Sequence, residues 1–429
     1  MGFAARVPDS DQPATLLGKQ DNDRYAFPMP ASMTPLAITA YTATSAMGCG
    51  LHAHLDTLRS ERTALRANDF SRVPLACWIG RVAGVEDAPL PPAHSVWECR
   101  NNRLAWLGLQ QDDFLAHVLA ARARYGAQRV ALLLGTSTAS IGATEEAYRT
   151  LDVDGGFATA MLRPAIHAPH SLSAFVAAAL ELEGPCLTIS TACSSSAKVF
   201  ASAERMLRLG LIDAAVVGGV DTLCDSVLFG FNALELVARE PCRPFDATRN
   251  GISIGEAAGF ALLERLDTAP DAPQLIGYGE SSDAHHMSTP HPDGLGAELA
   301  LRAALARAAL PPEQVDYINL HGTATVKNDA VEAALVGRVF PVGTRASSSK
   351  GYTGHTLGAA GILEAAITLL AIEHELIPGN LGGSTPDPAC GAQFIWHNEQ
   401  RRVEVALSNS FGFGGNNACL AFARAGFHA

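Results

Sequence analysis

The chain alternates short apolar runs with longer alanine-rich segments, a pattern that predicts β-strands separated by helices. The apolar run at residues 36–40 predicts a first strand, which a glycine-containing turn joins to a helix at about residues 52–59. Strands then follow at 129–135, 186–190, 214–218 and 259–264, with helices at 173–183 and 194–209. After residue 274 the succession recurs, with strands at 315–320 and 403–407 and helices at 329–336 and 358–373. This order of elements predicts an α/β protein.

Two segments of the chain resemble one another. Residues 129–138 and 315–325 each read as a buried strand that ends in a Gly-Thr turn and precedes an acidic helix start. A duplicated α/β unit would produce this pattern and would direct the strand ends and helix starts of both halves to a shared centre. We therefore divide the chain into an extension (1–32), an N-terminal half (33–270) and a C-terminal half (271–429). No low-complexity linker separates the halves, so we do not expect two independently folding domains.

Composition and charge disfavour several classes of function. The chain has 429 residues, 48% of them hydrophobic, and a formal net charge of −12, which disfavours nonspecific nucleic-acid binding. The nine cysteines include no CxxC pair, and residues 1–32 contain no apolar segment of the signal-peptide type. We therefore expect reduced thiols and a cytoplasmic protein. Because Glu364 interrupts the apolar segment after Gly358, we expect no membrane span.

Cys193 stands in the run Thr188-Ile-Ser-Thr-Ala-Cys-Ser-Ser-Ser, where an apolar strand gives way to small residues and then to a helix. A thiol at a helix start meets unpaired backbone N–H groups and the positive end of the helix dipole, which stabilise a thiolate. The small neighbours leave room for a substrate. For the other eight cysteines we favour the simpler interpretation of small buried residues. Cys193 is therefore the predicted nucleophile.

Two histidines occupy positions suited to catalysis. His321 ends a predicted buried strand and precedes Gly-Thr-Ala-Thr, so we expect its side chain to face a cleft. A single histidine at a strand end is more often structural than catalytic. His355 lies where a Gly/Ala-rich helix starts, and the helix dipole there favours the neutral imidazole. A neutral imidazole can hydrogen-bond to a developing oxyanion, which gives this placement a chemical reason.

Residues 408–417 alternate glycine with phenylalanine. We predict a loop whose backbone comes close to a ligand and whose aromatic side chains move, against the alternative of a plain turn with two core phenylalanines. His285, His286 and His291 are close in sequence but lack the spacing of zinc motifs, so we expect no metal site. The chain also contains no phosphate-binding GxxxxGK[ST] loop.

Residues 33–424 resemble the elongating β-ketoacyl-(acyl carrier protein) synthases. The resemblance implies the α/β thiolase-like fold, in which duplicated βαβ-type halves form a five-layered α-β-α-β-α core. It also implies decarboxylative Claisen condensation of malonyl-carrier with an acyl thioester, giving 3-ketoacyl-carrier. The blocks that carry it stand in the family's order: Thr191-Ala-Cys-Ser-Ser-Ser, Gly218-Gly-Val-Asp, Arg243-Pro-Phe-Asp-Ala-Thr-Arg-Asn-Gly, Asp283-Ala-His-His-Met, His321-Gly-Thr-Ala-Thr, residues 350–361, and Asn409-Ser-Phe-Gly-Phe-Gly-Gly-Asn-Asn.

The matching positions imply residue roles. Cys193 would accept the acyl chain, and His321 and His355 would promote decarboxylation of the malonyl group and stabilise the enolate. The backbone N–H groups of Cys193 and Phe413 would form the oxyanion hole, and Phe413 would also gate the pocket. Lys350 would have an electrostatic and structural role, with Glu332 as its acidic partner. Thr323 and Thr325 would hydrogen-bond to the pantetheine arm, and Phe231 would line the acyl tunnel.

The resemblance also implies partners. No cofactor is expected beyond the phosphopantetheine of the acyl carrier protein, which carries the substrates. The assembly would be a homodimer or a heterodimer with a homologous chain-length subunit. Arg59, Arg62 and Arg66 recur on one early helical stretch, and we expect the acidic carrier to dock there, against the alternative of a solvated helix face.

The chain departs from the family pattern in several places. Ser190 precedes the nucleophile block, Gly251-Ile replaces Gly-Phe, Gly255-Glu-Ala-Ala replaces Gly-Glu-Gly-Ala, and Val326-Lys327 replaces the more usual Pro-Leu. None of these changes removes a catalytic group. Together with the overall similarity, they favour a branch like the synthases of aryl-polyene and xanthomonadin-type pigment pathways.

Two other functions stay open at this point. A non-catalytic or weakly catalytic chain-length subunit would share the fold but would normally lack the cysteine. A Cys-His thioester hydrolase would share the thiol, the imidazole and the oxyanion donors. The presence of two histidines and the Phe-Gly segment favours carbon–carbon bond formation over both.

Overall fold

The computed structural model describes residues 30–428, so residues 1–29 of the predicted extension lie outside the described residues. The strands are β1 Leu36–Ser45, β2 Gly48–Cys49, β3 Arg66–Ala67, β4 Trp78–Gly80, β5 Val130–Gly135, β6 Cys186–Ile189, β7 Ala214–Asp221, β8 Ile254–Gly255, β9 Ala257–Arg265, β10 Gln274–Ser282, β11 Tyr317–Asn319, β12 Arg345–Ser347, β13 Leu376–Ile377, β14 Glu399–Gln400, β15 Val405–Gly412 and β16 Asn416–Ala423. The helices are α1 Leu51–Arg59, α2 Arg100–Leu109, α3 Phe114–Tyr125, α4 Ile141–Arg149, α5 Ser171–Leu180, α6 Ser195–Arg208, α7 Asp225–Ala233, α8 Leu295–Ala308, α9 Val326–Val339, α10 Lys350–Thr353 and α11 Ala360–His374.

The two halves of the chain repeat one sheet topology. One half has the strand order β6-β5-β7-β9-β1 and the other β12-β11-β15-β16-β10. In each half, three neighbouring strands are parallel, the fourth is antiparallel to the third, and the fifth is antiparallel to the fourth. The segments that resemble one another in sequence form β5 and β11, which occupy equivalent positions. The predicted duplication is therefore confirmed.

The sheets and helices stack in five layers. Helices α6 and α11 lie between the two halves of the sheet and share one core cluster with side chains from both, including Phe200, Val217, Ile367 and Phe422. Helices α2, α3 and α5 cover the outer face of the first half, and α8 and α9 cover that of the second. This α-β-α-β-α arrangement is the predicted thiolase-like fold. Because β1 also pairs with β10, the halves form one continuous sheet.

The central helices α6 and α11 approach closely. A Cβ atom built on Gly361 would lie 2.5 Å from the backbone nitrogen of Ala197, so only glycine fits at this crossing. Residues Leu357–His374 are apolar enough over 18 residues to span a membrane by composition, but 89% of them are buried inside the described part of the chain. Such burial is typical of the core helix of a folded domain.

One predicted loop is wrong. Within the segment 408–417, which we predicted as a loop, residues up to Gly412 belong to β15 and those from Asn416 belong to β16. The two strands pair in register from Val405↔Ala423 to Gly412↔Asn416. Only Phe413–Gly415 form a turn, which requires positive φ at Gly414 and Gly415. Burial against α11 keeps the glycine-rich strand in the sheet, which local propensity does not predict.

The crossing of α6 and α11 makes a stability prediction. Gly361→Ala should lower the free energy of unfolding by about 1–3 kcal/mol, because the added methyl group overlaps the α6 backbone. The matched control is Gly337→Ala in α9, where a Cβ atom meets nothing within 4 Å. This control should raise stability by up to about 1 kcal/mol through helix propensity. Denaturant unfolding at one fixed protein concentration measures both, and equal effects would contradict the predicted close packing.

Candidate active site

Cys193 lies in the short turn between β6 and α6, as the sequence predicts. β6 ends at Ile189 and α6 begins at Ser195, two residues after the cysteine. Ala192 has φ of 53°, a left-handed conformation that costs an alanine roughly 1–3 kcal/mol. The surrounding packing holds this strained turn. Gly135 and Gly219, at the ends of β5 and β7, admit Ser196 so closely that a Cβ atom on either would overlap it.

The His355 side chain contacts the nucleophile. Its Nε2 atom lies 3.0 Å from the Sγ atom of Cys193. Its Nδ1 atom accepts a hydrogen bond of 3.3 Å from the backbone N–H of Leu357, so the proton of the neutral ring is on Nε2, and Nε2–H donates to sulfur. The backbone of His355 bonds to Ser253 and Gly255 at β8, which fixes the ring's position.

The His321 side chain completes a group of three. Its ring centroid is 5.4 Å from that of His355, and the two rings are nearly perpendicular. The sulfur of Cys193 and one ring nitrogen each of His321 and His355 all lie within 4.8 Å of one another, and all three side chains are buried. The backbone N–H groups of His321 and Gly322 donate to the Glu332 carboxylate over 2.9 and 2.8 Å. Glu332 therefore fixes the strand end that carries His321.

The predicted partner of Lys350 is wrong. The Lys350 ammonium donates to the carboxylate of Glu364 and to the backbone carbonyl of His321. Glu332 instead accepts hydrogen bonds from the His321 backbone and from Asn409 Nδ2. Glu364 is on the central helix α11 and is 2% exposed, a depth at which a carboxylate needs a charged partner.

Burial and Lys350 together set the charges of the site. Burial, then the nearby Lys350 charge, lowers the pKa of His355 well below its ordinary value, and the pKa of His321 falls for the same reasons. Both imidazoles are therefore neutral at pH 7. Burial raises the pKa of the Cys193 thiol to about 11, against the opposing effects of Lys350 and the Phe413 N–H. Burial thus opposes the thiolate that we expected from the helix start alone.

The turn between β15 and β16 places Phe413 beside the nucleophile. Its backbone N–H lowers the pKa of the Cys193 thiol and thereby favours the ionised sulfur. Its ring stacks on that of Phe231 in α7, with centroids 5.5 Å apart and planes 29° apart. The Gly414 N–H donates to the carbonyl of Met287 over 2.7 Å, so the turn is also tied to the neighbouring loop.

A cavity of about 450 Å³ opens onto these groups. Thr323 and Thr325 share one wall, and their hydroxyl oxygens are 2.9 Å apart. Lys350 and Glu332 do not line the cavity and act from behind it. The predicted site residues that line it are Cys193, Phe231, His321, Thr323, Thr325, His355 and Phe413.

Asp221 is a buried anchor that we did not single out from the sequence. Its carboxylate accepts hydrogen bonds from Thr136, Ser137, Thr138 and the Gly358 N–H. It thereby joins the end of β7 to the loop after β5 and to the turn that precedes α11. The sequence contained a signal for this residue, because Asp221 is the last residue of the block Gly218-Gly-Val-Asp.

The three arginines of the predicted carrier surface do not share a helix. Arg59 ends α1, Arg62 follows it, and Arg66 lies in β3 and pairs with Asp69 at 3.5 Å. None of the three lines the cavity. Carrier docking on this surface stays a prediction.

Known proteins are similar to this chain in sequence and fold. Residues 94–269 match the β-ketoacyl synthase N-terminal domain, and residues 274–384 match its C-terminal domain. Nodulation protein E of Rhizobium meliloti (strain 1021) is 38% identical over 306 residues, which cover 69% of this chain and 76% of that protein. The mitochondrial 3-oxoacyl-[acyl-carrier-protein] synthase of Arabidopsis thaliana is 41% identical over 261 residues, which cover 56% of this chain and 57% of that one.

A solved structure agrees with these matches. A ketosynthase from Xenorhabdus doucetiae, determined in complex with its chain length factor, is 36% identical with a TM-score of 0.83. The alignment covers 91% of this chain and 98% of the ketosynthase. The chain therefore belongs to the β-ketoacyl synthase family, and it is a 3-oxoacyl-[acyl-carrier-protein] synthase, an acyltransferase with the thiolase-like fold.

Proposed function

We propose that Cys193 holds the growing acyl chain while His321, His355 and the Phe413 turn promote condensation with malonyl-carrier. The observation that carries this proposal is the 3.0 Å contact between Cys193 Sγ and His355 Nε2, beside a Phe413 backbone N–H that lowers the pKa of the thiol. A nucleophile, two neutral imidazoles and a backbone donor thus face one cavity. Acyl transfer through a covalent thioester uses the nucleophile and the backbone donor, and the two imidazoles can stabilise an enolate.

In the first step, the Cys193 sulfur attacks the thioester carbonyl of the acyl-carrier. A bond forms between sulfur and carbon, the carrier's carbon–sulfur bond breaks, and the proton of the cysteine passes to the departing carrier thiol. The carbonyl oxygen gains negative charge in the tetrahedral intermediate. We assign its stabilisation to the backbone N–H groups of Cys193 and Phe413. The Nε2–H of His355 stabilises the attacking sulfur.

In the second step, the carboxyl carbon–carbon bond of malonyl-carrier breaks and carbon dioxide leaves. The electron pair forms an enolate, whose oxygen accepts hydrogen bonds from His321 and His355. The carbanion attacks the Cys193 thioester, and the 3-ketoacyl chain stays on the carrier. The released cysteine sulfur takes up one proton and returns to the thiol. Neutral imidazoles suit this step, because a neutral ring can donate a hydrogen bond to the enolate oxygen, and no base has to remove a proton from the ring first.

We further infer that the enzyme elongates a polyene or fatty-acid-type chain, in the aryl-polyene branch, as one member of a dimer. The similarity to a ketosynthase solved with its chain length factor supports this inference. The sheet edges support it too. The edge of β12 is covered, because the Ala346 backbone bonds to Gln393 and Ile395, whereas Leu187 on the edge strand β6 is 40% exposed. An uncovered edge strand is a template for a strand of another chain.

The division of labour between thiol and imidazoles is testable by two separate assays. Cys193→Ala should abolish self-acylation and condensation while retaining malonyl-carrier decarboxylation. His321→Ala should lower decarboxylation by about 10²–10³-fold and leave self-acylation intact. Cys99→Ala, at another buried cysteine, is the control and should keep both activities. Intact-mass analysis of the enzyme and release of labelled carbon dioxide measure the two steps.

The alternative functions predict other outcomes. Condensation that persists in Cys193→Ala would assign the chemistry to a partner and make this chain a chain-length subunit. Hydrolysis of acyl-carrier without any decarboxylation of malonyl-carrier would identify a thioester hydrolase.

Lys350 makes a prediction about pH dependence. The neutral imidazoles are the active forms, so decarboxylation should stay constant as pH falls through 6.5 and decrease only below it. Lys350→Met removes one of the two causes that lower both pKa values, so the decrease should begin at a higher pH. The double variant Lys350→Met/Glu364→Gln leaves no buried carboxylate without its partner and should show the same displacement. An unchanged pH profile in both variants would contradict this electrostatic role.

The β6 edge makes a prediction about assembly. Leu187→Asp should convert the dimer to a monomer, because a charge on this edge opposes strand pairing. Leu209→Asp, at another exposed leucine, is the control and should stay dimeric. Light scattering after size exclusion measures the oligomeric state, and a Leu187→Asp protein that stays dimeric would contradict the β6 interface.

Product lengths with and without a candidate chain-length subunit distinguish a homodimer from a heterodimer. Only a heterodimer changes its products when the subunit is added.

A further inference from the structure

The mouth of the active-site cavity carries one lysine. Besides its histidines, the charged residues that line the cavity are Glu235, Asp283 and Lys327. Lys327 is therefore the sole permanent cation on the lining of this cavity within residues 30–428. It follows Val326, which is 62% exposed, so this part of the wall faces solvent.

The Lys327 ammonium has no acidic partner among the described residues. Within residues 30–428, no carboxylate lies within 4.0 Å of it, whereas Arg338 at the other end of the same helix pairs with Glu298 at 2.6 Å. An exposed lysine without a partner keeps its full charge available to a ligand.

The wall that carries Lys327 is held rigidly. Lys327 is the second residue of α9 and lies two positions after the predicted arm-binding Thr325. The buried guanidinium of Arg249 donates to the carbonyls of Thr325 and Val326 over 3.3 and 3.0 Å. Arg249 is itself fixed by Asp387 and Asp329. The backbone that presents Lys327 is thus set in place before any substrate arrives.

We propose that Lys327 binds the phosphodiester at the outer end of the carrier's pantetheine arm. This inference rests on the proposed function, in which the arm enters this cavity and the two threonines contact its inner part. The arm contains neutral amide and hydroxyl groups along its length, and its one anionic group is the phosphate. A cation at the mouth on the threonine wall matches this distribution of charge. Lys327 is therefore a positioning residue that acts on binding and leaves the chemistry at Cys193 unchanged.

A binding experiment tests the contact without any turnover. The Cys193→Ala protein is titrated with phosphopantetheine and with pantetheine, which differ only in the phosphate. Lys327 should give phosphopantetheine about tenfold tighter binding, as for a partly exposed charge-assisted hydrogen bond. Lys327→Ala should bring the ratio of the two dissociation constants close to one, and Lys327→Arg should restore most of the preference. A ratio that Lys327→Ala leaves unchanged would overturn the proposal.

Kinetics with the protein that retains Cys193 separate this inference from the proposed function. Lys327→Ala should raise KM for malonyl-phosphopantetheine about tenfold with little change in kcat, and should leave KM for malonyl-pantetheine unchanged. An equal loss with both substrates would contradict phosphate binding. A phosphate-dependent affinity with no decarboxylation of either substrate would instead overturn the proposed function and leave the lysine contact established.

A charge-reversal pair controls for nonspecific electrostatics. Lys327→Glu should weaken phosphopantetheine binding below that of pantetheine. Arg402→Glu changes the net charge by the same amount at a residue that is 71% exposed and outside the cavity, and should leave the preference intact. If Arg402→Glu removes the preference as strongly as Lys327→Glu, the effect comes from net charge and the specific contact is refuted.

Discussion

The ammonium of Lys350 is buried at the point where the elements of the active site meet. An isolated charge at that depth would cost several kcal/mol, so it persists only because carboxylate and carbonyl oxygens surround it. The carboxylate comes from Glu364 on the central helix α11, and the carbonyl comes from His321 at the end of β11. Lys350 itself begins α10, which leads directly to His355. One ion pair therefore fixes both histidines relative to the helix that lies between the two halves of the sheet.

Burial, together with the same charge, explains why both imidazoles are neutral. Burial removes the hydration that an imidazolium needs, and a nearby ammonium adds repulsion. Cys193 responds to these surroundings in the opposite sense, because burial opposes its ionised form while Lys350 and the Phe413 N–H favour it. The protein thus combines a dry cavity with hydrogen-bond donors aimed at sulfur. That combination favours negative charge only where the donors are, which is the requirement for stabilising a transient oxyanion.

Local patterns predicted the parts of the site that depend on neighbours in sequence. The strand–turn–helix around Cys193, the strand end at His321 and the helix start after His355 all follow from apolar runs and small residues. Contacts between segments that are distant in the sequence were harder to predict. Glu332 and Glu364 are both buried acids. The partner of Lys350 cannot be identified from the sequence alone, because it depends on how β11 and α11 pack. Glu364 did carry a signal, because a single carboxylate in an apolar helix needs a buried partner.

The duplication gives the site its composition. Helix α6 and helix α11 occupy equivalent places in the two halves, and Cys193 and His355 lie in the segments that lead into them, so the pseudo-symmetry itself brings the thiol and one imidazole together. The strands β5 and β11 are also equivalent, yet Thr136 directly follows one, whereas His321 lies two residues after the end of the other. The halves have diverged at their outer edges as well, since residues 393–395 cover β12, whereas within residues 30–428 Leu187 on β6 is 40% exposed. A duplicated fold can place two reactive ends at one centre, but the two halves must differ for one end to supply the nucleophile and the other the hydrogen-bond donors.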